Sequence, residues 1–224
     1  YCQGGACAGA IISQGDRLPL DGAAGLATFT ATSKYSADTI PYVIVTAHED
    51  DAIQVLTLRD PMNSSGNNAC TLKHQGGHAC GIRAPLNATG VSPYANATDG
   101  TKGYNLLNGA IDVDTWTYGA EVYGIVVADV DDSFIILELT DPSFTNGGIS
   151  AAQLSNSTDN SLFTALDGAN SVDVFKIDTR PYALITSNAT SSINGVTLVD
   201  LYDPRNPQPV EAVFDGQLKD GDDI

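Results

Sequence analysis

Apolar residues recur along this chain in the same order three times. Each round opens on a leucine followed by Asp-Gly-Ala or Asn-Gly-Ala, at Leu20-Asp21-Gly22-Ala23, Leu107-Asn108-Gly109-Ala110 and Leu166-Asp167-Gly168-Ala169. A stretch with apolar residues two apart follows, clearest in Val172-Asp173-Val174-Phe175-Lys176-Ile177. Leu26-Ala27-Thr28-Phe29-Thr30 and Asp112-Val113-Asp114-Thr115-Trp116 occupy the same place. A period of two predicts a half-buried strand. Next comes a run led by tyrosine: Tyr42-Val43-Ile44-Val45-Thr46-Ala47, Tyr123-Gly124-Ile125-Val126-Val127-Ala128 and Tyr182-Ala183-Leu184-Ile185-Thr186-Ser187. Short, β-branched, continuous runs of this kind suit strands covered on both faces.

A polar turn then intervenes, with paired acids at Asp50-Asp51 and Asp131-Asp132. Asn194-Gly195 stands there in the third round and predicts a two-residue hairpin. The return strands are Ile53 to Leu58, Phe134 to Leu139 and Val196 to Leu201, and each stops shortly before Asp60-Pro61, Asp141-Pro142 or Asp203-Pro204. Proline lacks the N–H that a ladder requires and fixes φ, so the strand ends there and the chain turns. A further short strand is expected after each Asp-Pro turn, as in Gln208-Pro209-Val210-Glu211-Ala212-Val213-Phe214. The expected fold class is therefore all-β, with three four-stranded repeats like the blades of a β-propeller, in an incomplete or assembled propeller or a linear array. Almost no helix is expected, because Gly, Pro or Ser breaks every stretch with a helical period.

Openings lie 87 and 59 residues apart and Asp-Pro turns 81 and 62 apart, so the period is near sixty with one insertion. The expected organisation is a cysteine-containing segment over 1–17 and a first repeat over 18–105. That repeat carries a disulfide-pinned, glycosylated insertion at about 62–104. A second repeat covers 106–165, a third 166–214, and 215–224 starts a further repeat or a linker. The openings, Tyr-led strands and Asp-Pro turns resemble the extracellular LVIVD-type β-propeller repeat family, named for its Leu-Val-Ile-Val-Asp strand. Leu166 to Pro204, with Val196-Thr197-Leu198-Val199-Asp200, is the nearest match. The resemblance implies a long surface or secreted protein without assigned chemistry. Cys2 and Cys7 resemble the tail of an EGF-like module.

Charge changes the picture of partners. The chain has 27 acidic residues, mostly Asp, against 10 basic ones, for a net charge of −17. Asp favours turns and caps over helix interiors, in keeping with many short strands. Such acidity argues against nucleic acid and against anionic membrane, and no apolar run of eighteen or more residues predicts membrane insertion. The start at Tyr1 is read as processing or as an excerpt from a longer protein.

Four cysteines, Cys2, Cys7, Cys70 and Cys80, suit disulfides in an oxidising compartment, with three connectivities open and local pairing the simplest. Five N-glycosylation sequons stand at Asn63, Asn87, Asn96, Asn156 and Asn188, all in polar stretches between apolar runs. Both features predict an extracellular or cell-surface protein bearing N-linked glycans.

Candidate chemistry is sparse. Cys70, His74, His78 and Cys80 have soft donor atoms for zinc, but a disulfide with two exposed histidines is favoured. Asp50, Asp51, Asp129, Asp131 and Asp132 are candidate calcium ligands, weighed against plain turn formation; no cofactor is required. Only three histidines occur, and no Gly-x-Ser-x-Gly elbow is present. The expectation is therefore no enzyme, although carboxylate-pair chemistry depends on spatial separation alone. Tyr42, Tyr123 and Tyr182 are assigned to core packing ahead of carbohydrate stacking.

Three units are fewer than the four to eight that close a propeller. The expected function is accordingly a structural glycoprotein subunit of an extracellular filament, surface appendage or adhesive coat, self-associating through its open repeats. The alternative is a secreted recognition module for carbohydrate or protein.

Overall fold

The computed structural model describes residues 20–32, 39–59, 81–83, 95–98, 105–139, 155–158, 162–188 and 194–214. The four cysteines, His74, His78, Asn63, Asn87 and the first two Asp-Pro turns lie outside them. The described residues contain strands and no helix. None of them forms a helix long and apolar enough to cross a membrane.

The first unit contains β1 (Ala23–Thr32), β2 (Thr39–Ala47), β3 (Ala52–Arg59), β4 (Gly81–Arg83) and β5 (Ala95–Thr98). The second contains β6 (Ala110–Tyr118), β7 (Glu121–Ala128), β8 (Ser133–Glu138) and β9 (Ser155–Thr158). The third contains β10 (Ala169–Ile177), β11 (Arg180–Ser187), β12 (Gly195–Asp200) and β13 (Gln208–Phe214). Each unit is an antiparallel meander, in the orders β1-β2-β3-β4, β6-β7-β8-β9 and β10-β11-β12-β13. The first sheet departs from the expected four strands. Its outer position is shared by β4, on the far half of β3, and β5, on the near half. The single strand β13 spans both halves in the third unit.

The recurring Leu-Asp/Asn-Gly-Ala opening is a β-turn in all three units. The alanine N–H donates to the leucine carbonyl, at 3.2 Å from Ala23, 2.9 Å from Ala110 and 2.9 Å from Ala169. The central glycines Gly22, Gly109 and Gly168 have φ of +68°, +72° and +65°, where a Cβ is disfavoured. Each glycine carbonyl then accepts the N–H just beyond the second strand, from His48, Asp129 and Asn188.

Two-residue hairpins occur, but not where the sequence pattern placed one. Tyr118 pairs with Glu121 and Ile177 with Arg180, so Gly119-Ala120 and Asp178-Thr179 form those turns. Gly119 and Asp178 take the positive φ such turns require. Asn194-Gly195 instead ends a longer connection, because Ser187 pairs with Gly195.

The three sheets stack face to face, as propeller blades do. One apolar core joins the first two units through Phe29, Tyr42, Ile44 and Ile53 on one side and Val113, Val126, Ile135 and Leu137 on the other. A second joins the next pair through Tyr123, Ile125, Phe134 and Ile136 against Val172, Ala183, Ile185 and Val199. The middle sheet is thus covered twice: β7 is buried from Val122 to Ala128 and β8 from Ser133 to Leu137. In β12 buried and half-buried residues alternate, the period of a strand covered on one face.

Candidate functional site

The candidate calcium ligands form polar clamps instead of a shared site. In each four-residue loop after the second strand, the first acid of the pair closes its own unit. Asp50 Oδ2 accepts the Asp21 N–H at 2.8 Å, and Asp131 Oδ2 accepts the Asn108 N–H at 2.9 Å. The second acid reaches the next unit: Asp51 Oδ1 accepts the Gly109 N–H at 2.9 Å, and Asp132 Oδ1 the Gly168 N–H at 2.8 Å. Asp51 and Asp132 take φ of +49° and +51° in doing so. Asp129 meets His48 Nε2 at 3.1 Å, again between units. Among the described residues no three His, Cys, Asp or Glu side chains converge on a point where a metal ion would sit. Each of these carboxylates faces a separate backbone or imidazole donor.

Of the sequons, Asn188 is exposed at the end of β11. Asn96 and Asn156 lie on the outer strands β5 and β9, in register with Gln54 and Ile135, which are equivalent positions of β3 and β8.

The inner strands β1, β6 and β10 lie side by side. Across their C-terminal halves runs a groove of about 670 Å³, lined chiefly by one triplet from each unit. The triplets are Thr28-Phe29-Thr30, Thr115-Trp116-Thr117 and Val174-Phe175-Lys176. They share one register, because each central aromatic pairs with the leading tyrosine of the next strand. Phe29 stacks on Tyr42 and Trp116 on Tyr123, both at 5.3 Å between ring centres, and Phe175 on Tyr182 at 6.0 Å. Strand alternation puts the flanking residues on the opposite face from the rings, and Thr28, Thr30, Thr117 and Lys176 are exposed. Thr115 Oγ1 donates to the Thr28 carbonyl at 3.0 Å and Lys176 Nζ to the Thr117 carbonyl at 2.8 Å, tying the groove together across units. The Trp116 indole N–H is buried and meets no acceptor among the described residues.

Behind the groove, two aspartates of β6 bridge to β10. Asp112 Oδ2 accepts from Ser171 Oγ and the Val172 N–H, and Asp114 Oδ2 accepts the Val174 N–H at 2.7 Å. Asp114 Oδ1 also accepts the Thr115 N–H at 2.6 Å. Burial pushes the Asp114 carboxyl above its ordinary 3.8; the two backbone N–H groups oppose this, and the nearby Asp173 and Asp112 charges add to it.

A carboxyl whose pKa is higher folded than unfolded binds its proton more readily in the folded state. Its contribution to stability is therefore fully present below the unfolded value and lost as pH rises through the folded one. Asp114→Asn removes that dependence. The urea midpoint of wild type minus that of the variant is expected to fall as pH rises above the ordinary carboxyl value of 3.8. A difference that stays flat across this range contradicts the burial of this charge.

The sequence matches no family model and no curated protein. The solved structures that this chain is similar to include two enzymes. One is an exo-beta-1,3-galactanase from Clostridium thermocellum, with TM-score 0.43 and 11% identity, covering 84% of this chain and 34% of that one. The other is a thermostable family-43 glycoside hydrolase, with TM-score 0.48 and 12% identity, covering 88% of this chain and 54% of that one. This chain thus spans between a third and just over half of their lengths. The expectation of a non-enzymatic filament or coat subunit is corrected here: both of these structures are of enzymes, and neither supports a filament or coat subunit. That expectation rested on the lack of a serine-nucleophile elbow and on a unit count below that of a closed propeller. The three triplets of the groove are aligned in the sequence, but they become one site only in the fold.

Proposed function

We propose that this chain belongs to an extracellular β-propeller that handles carbohydrate, and that the groove across β1, β6 and β10 holds a saccharide. The observation that carries this reading is the recurrence of an aromatic-centred triplet from each unit along one groove. A pyranose has apolar C–H faces and a rim of hydroxyls. Phe175, the half-buried ring of the three, suits a face, while threonine hydroxyls and the Lys176 ammonium suit the rim. Phe175 tests the reading with least harm to the fold, because it is only half-buried whereas Trp116 is 5% exposed. Titration calorimetry against a panel of neutral and uronate-containing oligosaccharides is expected to find a ligand that Phe175→Ala binds about tenfold more weakly, a loss of ~1.4 kcal/mol. Absence of binding to every member of the panel at millimolar concentration sinks the proposal.

Hydrolysis is a second reading, favoured by the raised pKa of Asp114, which stands behind the groove with Asp112 and Asp173 near it. Glycoside hydrolysis uses a protonated carboxyl with a second carboxylate nearby. Release of reducing sugar by the wild type, lost in Asp114→Asn while oligosaccharide binding persists, supports it. Equal release by both proteins excludes Asp114 as the acid.

A further inference from the structure

We infer that Lys176 gives the groove a preference for acidic sugar, so that its ligand is an oligosaccharide bearing uronate carboxylates. The inference rests on the saccharide reading above and names the ligand class of that same groove.

At Lys176 the repeat departs from its own pattern. Thr30 pairs with Pro41, Thr117 with Val122 and Lys176 with Pro181, which makes Thr30, Thr117 and Lys176 equivalent positions of the three inner strands. Two of them carry neutral hydroxyls and the third an ammonium, so the architecture of the unit does not itself demand a charge there. All three residues are exposed in the groove, and among the described residues that line it Lys176 alone is ionisable.

The ammonium also lacks a counter-charge. Acidic residues outnumber basic ones 27 to 10 in this chain, and Arg180 pairs with Asp200 and Arg205 with Glu138. Lys176 makes no such pair among the described residues. Its Nζ donates instead to the Thr117 carbonyl at 2.8 Å, a neutral partner on the neighbouring inner strand. That bond takes one of the three ammonium protons and holds the charge across the joint between β6 and β10, an internal joint of the array. Asp112 and Asp114 do not line the groove, and their oxygens accept from Ser171, Val172 and Val174.

Charge complementarity then selects the ligand. A compact ammonium binds a carboxylate more strongly than a hydroxyl, because hydrogen bonds between ionised partners are about twice as strong as neutral ones. The net charge of −17 is spread over the whole chain, and at physiological salt charges farther off than about 8 Å are largely screened, so the lining of the groove decides. A uronate carries its carboxylate at C6, where a neutral hexose carries a hydroxymethyl group, so the acid fits wherever the neutral sugar does. The exposed hydroxyls of Thr28, Thr30 and Thr117 suit the ring hydroxyls of either.

The test is titration calorimetry on the full chain with oligouronates of several linkages, each paired with its carboxyl-reduced neutral counterpart. At least one acid is expected to bind about tenfold more tightly than its reduced partner. Lys176→Gln, which keeps a donor for the Thr117 carbonyl, is expected to abolish that difference and to leave the affinity for the reduced sugar within about twofold of wild type. Lys176→Arg should preserve the preference. A reduced sugar that binds wild type as tightly as its acid overturns the inference and leaves the saccharide reading standing. The same holds if Lys176→Gln weakens acid and reduced sugar alike, which assigns Lys176 to joining the units. A sulfated neutral oligosaccharide that outbinds every acid overturns the choice of carboxylate. Failure of every pair to bind at millimolar concentration overturns both readings.

Discussion

Ile136→Ala is expected to lower folding stability by about 2–5 kcal/mol, whereas Leu198→Ala, the same position one unit later, is expected to cost about half as much or less. The two substitutions remove similar volumes, so chemistry alone does not separate them. Position does. Ile136 is fully buried among Tyr123, Ile125, Phe134, Val172 and Ile185, closed in by its own unit and the next. Its loss removes about three carbons of transfer energy and leaves a cavity that two rigid sheets cannot collapse to fill. Leu198 is half-buried, with a sheet on one side only among the described residues, so its surroundings relax and water already reaches it. Urea unfolding at a protein concentration where the chain is monomeric is the measurement. Equal losses at the two sites imply that the third sheet is covered on both faces even in the isolated chain.

The contrast bears on how much of this molecule was legible in advance. Strands and their order were readable because alternation and β-branched runs are direct consequences of burial. The openings were readable because glycine at positive φ leaves a local signature that no distant residue alters. The outer edge of the first sheet was not readable. One strand there is replaced by two short ones, β4 and β5, and the pattern of neither reaches the length that betrays a strand. The role of the paired acids was half legible. Their place in turns followed from residue type, but the division of labour did not, because Asp131 serves its own unit and Asp132 the next, and adjacent identical residues carry no such distinction in sequence. The bridging of Asp112 and Asp114 to β10 was hidden for a related reason: alternation marks them only as polar positions of a half-buried strand. The groove was hidden because its triplets, aligned in sequence, become one site only when three inner strands lie side by side.

The second acid of each pair provides the other large effect. Asp132→Ala is expected to cost about 2–4 kcal/mol, and Asp132→Asn under ~1.5 kcal/mol. The carboxylate does two things at once. Its Oδ1 accepts the Gly168 N–H, which belongs to a turn packed against the second unit and whose glycine leaves no room for a Cβ: one placed there stands 2.6 Å from the Asn188 carbonyl oxygen. Alanine leaves that N–H without its acceptor, and hydrogen bonds to charged groups contribute about 1.5–3 kcal/mol. Its backbone also sits at φ +51°, which Asp and Asn tolerate far better than Ala because their side chains bond locally. Asparagine preserves both the acceptor oxygen and the tolerance, losing only the charge, and the third unit already has Asn194 at the equivalent place. Chemical denaturation of the three proteins side by side distinguishes the parts of the argument. If Asn is as damaging as Ala, the charge is what joins the units; if neither is damaging, the inter-unit hydrogen bond contributes nothing and packing alone sets the spacing of the sheets.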